Sequence, residues 1–289
     1  MGGSDLGRRV AVAAVGVPLG VGILYFGSWP TGLVLAAVAA LGTLELYRMA
    51  EASGWKAFPW LGLPAAAALV LTAIWSGSLV GWSAHVLAVT VVLLLTALGS
   101  AVFARGPSGQ PLPSVAVTLL GPLYLGVTLG FALQLRAFPG ISEGEPGWPG
   151  ALVGIFPLAV TWFGDAAAYF AGHRWGKTKL IPSVSPGKTV AGGVGGLVGS
   201  VVAAVAFSEL LLNPYSGMGL TVVSAAVVGL VVGGVGQVGD LAESLLKRGA
   251  GVKDSGSLFP GHGGVLDRFD SVLFALPTAY VLLEVFLSP

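Results

Sequence analysis

The chain contains no cysteine among its 289 residues. That absence excludes a disulfide, a thiolate nucleophile and any Cys-ligated metal. Charge is almost as scarce. Asp, Glu, Lys and Arg make up 9% of the chain, where a soluble globular domain carries about 25%. The formal net charge is +1, so no long-range field draws in a polyanion, and no nucleic-acid partner is expected. Hydrophobic residues reach 55%, and mean hydropathy is +0.88. Disorder is excluded by the same numbers, and an integral membrane protein is the class that remains.

A bilayer core about 30 Å thick needs about 20 apolar residues of helix, because lipid offers the backbone no hydrogen bonds. Nine segments meet this roughly: 10–27, 31–48, 60–76, 79–103, 112–135, 150–172, 191–212, 219–240 and 265–287. The third is the weakest, since Pro64 falls in its first turns. The first follows Arg8 and Arg9 and ends in FGSWP without a small-x-small cleavage site, so it reads as a retained helix. The expected fold is all-α and polytopic, with about nine transmembrane helices. With the N-terminus in the cytoplasm, every Lys and Arg falls on that side except Arg136, as the positive-inside rule requires. The expected organisation is an N-terminal bundle (1–111), a connecting helix and outside loop (112–149) and a C-terminal catalytic region (150–289). The Gly-rich runs AGGVGGLVGS (191–200) and VGLVVGGVGQVGD (228–240) suit close approach of helix backbones.

Most isolated ionisable residues have an ordinary explanation. Glu45 and Glu51 flank Arg48 at three-residue spacing, like a helix-end pair at the interface. His85, Glu209 and Glu284 lie near outer helix ends and are given no role. Asp165 differs, because it stands mid-way along the sixth span, where a carboxylate is costly and marks a polar cavity or a function. The following loop carries His173, Arg174, Lys177, Lys179 and Lys188, with SPGKT at 185–189. Ser185, Lys188 and Thr189 suit phosphate oxygens, although the glycine spacing of a P-loop is absent.

The charge that is present is concentrated. Nine of the chain's 14 basic and 13 acidic residues fall between Asp240 and Asp270. On a helix, Asp240, Ser244 and Lys247 share one face. Four glycines then break the chain, at 249, 251, 256 and 261. His262 sits between glycines in PGHGG, and Asp267 and Asp270 open the last apolar segment. Carboxylates from two helices suit a hard divalent cation such as Mg²⁺. Numerous cations beside them suit a phosphate-rich substrate, so metal and Lys or Arg together would stabilise transferring phosphoryl oxygens.

Ser244 to Asp270 resembles the signature of CDP-diacylglycerol synthases, also called phosphatidate cytidylyltransferases. The matching elements are Ser244, Lys247-Arg248, Lys253-Asp254, the Pro260-Gly261-His262-Gly263-Gly264 run, and Asp267-Arg268-Phe269-Asp270. VGD ending at Asp240 and the GDAAAYFAGHRWGK stretch beginning at Gly164 also resemble the family. One departure is Ala191, where the family commonly has Glu. The resemblance implies that CTP and phosphatidate react to give CDP-diacylglycerol and pyrophosphate with Mg²⁺, a second cation being left open. It also implies a homodimer and a polar cavity open to the cytoplasm, in contact with membrane lipids. A bacterial inner membrane is the expected location. For that reaction Asp240 and Asp267 are expected to hold the metal, with Asp270 close by. Lys247, Arg248, Lys253 and Arg268 would meet phosphates, and Ser244 and Asp254 would orient neighbours. Asp165, Ser185, Lys188, Thr189, His262, Gly263 and Gly264 complete the expected binding set. The rivals are another metal-dependent lipid phosphotransferase or kinase, and an ion-coupled transporter built on Asp165 and Asp240.

Overall fold

The computed structural model describes residues 16–142, 144–258 and 263–287. Among them, helices occupy the segments that hydropathy selected. We label these α1 (Gly16–Tyr25), α2 (Ser28–Ala52), α3 (Pro59–Leu71), α4 (Leu79–Ala104), α5 (Pro111–Arg136), α6 (Trp148–Trp175), α7 (Val190–Ser216), α8 (Val222–Gly249) and α9 (Leu266–Leu287). All but α1 and α3 are long and apolar enough to cross a membrane, which gives seven such helices among the described residues rather than nine. The part of the expected first span before residue 16, with Arg8 and Arg9, lies outside the described residues. The chain is a polytopic membrane protein whose described residues are mostly helical. Its only described strands, β1 (Lys179–Ile181) and β2 (Ser185–Thr189), form a small antiparallel hairpin between α6 and α7.

The fold divides into two compact units. One comprises the chain up to Gln134 together with Leu246–Phe269, and the other Leu135–Leu245 together with the chain from Asp270. The boundaries fall in the last turn of α5, inside α8 and in the first turn of α9.

In the first unit, proline sets the irregularities and side chains satisfy what proline leaves open. Pro122 has no N–H to give the carbonyl of Thr118 one turn back, and α5 loosens into a π turn over Pro122–Val127. The hydroxyl of Tyr47 donates to that carbonyl at 2.6 Å. The Thr118 hydroxyl in turn accepts the N–H of Phe58 at 2.9 Å, just before α3. The third apolar segment ends five residues before the hydropathy limit because its last carbonyls are claimed from outside. Trp82 Nε1 donates to the Leu69 carbonyl at 3.2 Å, and Gln134 Nε2 to that of Ala73 at 3.3 Å. Non-helical backbone persists in apolar surroundings only when it is satisfied in this way. Arg105 fastens the turn before α3, donating from Nη2 to the carbonyls of Lys56 and Ala57 at 3.1 Å. Its guanidinium lies 4.6 Å from the centre of the Phe58 ring.

The second unit is built on glycine. A Cβ added to Gly199 would lie 2.3 Å from the Ala167 Cβ, and one on Gly164 would lie 2.2 Å from the Ser200 hydroxyl. Along α8, a Cβ on Gly233 would stand 2.4 Å from Ser200. Small residues therefore let α6, α7 and α8 meet backbone to backbone, which is what packing in lipid rewards. Gln237 Nε2 bonds the carbonyl of Gly193 at 3.0 Å across this seam. Where α9 meets α8, a Cβ on Gly239 would be 2.6 Å from the Asp270 carbonyl oxygen.

Overpacking the seam provides a test. Gly199→Leu is expected to lower the melting midpoint of the detergent-solubilised protein, at a cost of about 1–3 kcal/mol. Gly99→Ala, where an added Cβ meets nothing within 4 Å, is expected to leave it unchanged or slightly raised.

Candidate active site

Two polar clusters stand out against the apolar body, one in each unit. In the second unit, a cavity of about 640 Å³ is lined by Asp165, His173, Lys179, Lys188, Gln237 and Asp240, among others. Asp165 projects from the middle of α6 and is exposed to this space. The sequence argument that a mid-span carboxylate needs a polar cavity is met by the structure. The β1–β2 hairpin delivers Lys188, whose Nζ lies 2.6 Å from Asp240 Oδ2. The other oxygen of Asp240 accepts a longer hydrogen bond, 3.5 Å, from Ser244 one turn along α8. Asp240, Asp270 and Lys188 all lie within electrostatic range of Asp165. Two carboxylates, Asp165 and Asp240, and two ammonium groups, Lys179 and Lys188, therefore line this space, and Asp270 adds its charge nearby.

The residues of SPGKT have separated tasks. Lys188 faces the cavity, whereas Thr189 caps α7, accepting the Gly192 N–H at 3.1 Å. Thr189 is buried but still contributes to the cavity wall. Ser185 pairs with Ile181 in the hairpin. Ala191, at the position where Glu is common, lines a separate apolar groove of about 1160 Å³ between α6 and α7. A Glu there would enter an apolar lining.

In the first unit, Asp267 is the centre. Its Oδ1 receives Lys247 Nζ at 2.6 Å. Its Oδ2 receives the Ser255 N–H, the Ser255 hydroxyl and the Gly264 N–H, each at 2.8 Å. This is a charge-assisted cage around a carboxylate in the first turn of a helix, where the macrodipole also favours negative charge. Gly263, at φ 78°, turns the chain so tightly that a Cβ would fall 2.4 Å from Asp267 Oδ2. Gly263 and Gly264 thus belong to the cage by the space they leave.

The other expected residues spread out from there. Arg248 is exposed and donates to the Val252 carbonyl at 3.3 Å. Lys253, Asp254 and Arg268 are also exposed. His262, with Pro260 and Gly261, lies outside the described residues. No three His, Asp or Glu side chains among the described residues gather as a ready-made metal site. Two participants escaped the sequence reading. Ser255 lies inside the charged stretch but carries no charge. Glu45, read as an interfacial partner of Arg48, is buried while Arg48 is exposed. It accepts hydrogen bonds from the Ser255 hydroxyl and from the N–H groups of Val265 and Leu266, all at 2.9 Å. The signal that would have found it was already present, a carboxylate inside an apolar span.

Residues 7–286 match the Cytidylyltransferase family. The chain belongs to that family. Among curated proteins similar to this cytidylyltransferase, a phosphatidate cytidylyltransferase of Synechocystis is 32% identical over 94% of each chain. One of Bacillus subtilis is 31% identical over 98% of this chain and 99% of its own. A Staphylococcus saprophyticus protein of the same name is 43% identical over 45% of this chain. The resemblance read from the C-terminal signature is borne out, and the match reaches well beyond the stretch from Gly164 to Asp270 that carried it. The N-terminal half of the chain, legible only as hydropathy, is part of the family match.

The two clusters differ in how firmly they are tied into the protein, and stability measurements should separate them. Asp267→Asn turns an acceptor that faces several donors into a donor. It is expected to destabilise the detergent-solubilised protein by about 1–3 kcal/mol. Asp165→Asn, facing the cavity, should stay within about 0.5 kcal/mol of the parent. Melting midpoints of both variants check the contrast.

Proposed function

We propose that this cytidylyltransferase transfers CMP from CTP to phosphatidate, giving CDP-diacylglycerol and pyrophosphate in phospholipid biosynthesis. The observation that carries the reading is near-full-length similarity to proteins named phosphatidate cytidylyltransferase. The site chemistry agrees with it, since carboxylates and ammonium groups stand together in an otherwise apolar protein. Phosphatidate keeps its acyl chains in lipid and presents its phosphate at the interface, while CTP arrives from water. A phosphate oxygen of phosphatidate attacks the α-phosphorus of CTP, and the bond from that phosphorus to the β-phosphate oxygen breaks as pyrophosphate leaves. Such a transfer needs alignment and charge neutralisation more than it needs a protein nucleophile.

Asp240, with Asp165 and Asp270 close in charge, offers hard oxygen donors that fit a divalent cation such as Mg²⁺, which retains several waters. Among the described residues Asp240 Oδ1 meets only the 3.5 Å bond from Ser244, and Asp165 is exposed to the cavity, so these two carboxylates are the ones most ready for that role. Asp267 would join the cation only by releasing one of its four donors. In the arrangement described it holds Lys247 and the Gly264 turn in place. When bound, the cation supplies positive charge to phosphate oxygens. Lys188 and Lys247 neutralise phosphate charge, and Arg248, Lys253 and Arg268 present donors to the nucleotide and headgroup. Ser244 orients Asp240, and His262 and Asp254 remain in the expected binding set. A bacterial inner membrane, a homodimer and a site open to the cytoplasm go with this reading. The orientation rests on the placement of Lys and Arg along the sequence.

The test is pyrophosphate release by the purified protein from CTP and phosphatidate, with and without divalent metal. Release is expected only with metal. Asp240→Asn is expected to lower kcat by about 10²–10³-fold, as does loss of one charge-stabilising group in other enzymes. Undiminished release after chelation would overturn the assignment of the carboxylates. Phosphorylation of a lipid alcohol, with phosphatidate left unused, would overturn the reaction itself.

A further inference from the structure

We propose that Glu45, on α2, is a positioning residue for the reaction. Its buried carboxylate fixes the first turn of α9 and Ser255, and through them the orientation of Asp267 and Lys247. The inference rests on the reading of Asp267 and Lys247 given above.

The first N–H groups of a helix have no carbonyl one turn back and must find acceptors elsewhere. At α9 the acceptor comes from 220 residues away in the sequence. Glu45 Oε1 takes the Val265 N–H, and Oε2 takes the Leu266 N–H, each at 2.9 Å. Oε2 also lies 2.9 Å from the Ser255 hydroxyl, which is itself 2.8 Å from Asp267 Oδ2. One hydroxyl has one proton, so Ser255 donates to one carboxylate at a time and couples the two. Asp267 in turn holds Lys247 at 2.6 Å. Glu45 bonds the N–H groups that open α9 and the Ser255 hydroxyl, and its carboxylate lies against Gly264. It acts through the helix start and the serine.

The local sequence is shaped around that carboxylate. A Cβ on Gly256 would stand 2.5 Å from Glu45 Oε1, and one on Gly264 2.4 Å from Oε2. Two glycines of the charged stretch thus owe their identity to a residue in another helix. A purely structural anchor would need neither the shared serine nor a link to the Lys247 partner. The arrangement matches the general pattern in which groups behind the contacting residues orient them, with a typical loss of about 10–100-fold when removed.

The experiment compares Glu45→Gln, Gly256→Ala and their combination, with Asp267→Asn as reference, in the full-length protein. Steady-state kcat and the KM for CTP and for phosphatidate are measured alongside the melting midpoint. Glu45→Gln leaves one oxygen and turns an amide toward donors. It is expected to lower kcat about 10–100-fold while both KM values stay within about twofold and the protein remains folded at the assay temperature. Gly256→Ala, which crowds the same oxygen, is expected to lower kcat in parallel. The double variant should be no slower than the slower single variant, because both act on one carboxylate. Should Glu45→Gln fail to fold, the kcat of folded Gly256→Ala decides: a fall with KM unchanged supports the role, and a parent-like kcat overturns it. Parent-like kcat in Glu45→Gln with Asp267→Asn inactive overturns the role of Glu45 and leaves the reaction reading intact. Full activity in Asp267→Asn overturns the reading on which the inference rests.

Discussion

Polar groups in this protein have to find partners inside the protein, because the surroundings supply none. That constraint explains features that would be incidental in a water-soluble fold. Pro122 withholds a donor from Thr118, and the Tyr47 hydroxyl replaces it. The backbone past α3 leaves the helix, and Trp82 and Gln134 take its carbonyls. The start of α9 exposes N–H groups, and Glu45 accepts them. In each case an unpaired group would cost a few kcal/mol, and a residue distant in sequence removes that cost.

The same constraint separates the two polar clusters. Asp267 has its oxygens filled by protein donors, so it behaves as part of the framework that presents Lys247. Asp165 and Asp240 face a cavity, so their charge is available to whatever enters. In phosphate chemistry generally, some charged groups fix geometry in advance and others answer charge that arrives with the ligand.

Glycine is what allows these clusters to exist in so apolar a chain. Close approach of α6, α7 and α8 removes side-chain bulk from the seam and leaves the polar cavity beside it. In the charged stretch, Gly256, Gly263 and Gly264 let backbone come within hydrogen-bonding distance of two carboxylates. The abundance of glycine is therefore a packing device in the helices and a means of close approach in the loop. Periodicity distinguishes the two uses poorly, since spacing does not say what lies opposite.

The sequence by itself determined the class of the protein, the segments that become helices, the need for a cavity at Asp165 and the chemical character of the stretch from Asp240 to Asp270. Each follows from local facts: apolar length against bilayer thickness, the cost of a lone carboxylate, and the density of charge. It could not assign partners. Lys188 to Asp240, Thr189 as a helix cap, Asp267 to Lys247, and above all Glu45 to a turn more than 200 residues away were decided only by the tertiary structure. The reason is physical. A carboxylate in an apolar helix announces that it must be satisfied, but which donor satisfies it depends on helix contacts that close long loops, and those contacts leave no periodic trace in the sequence.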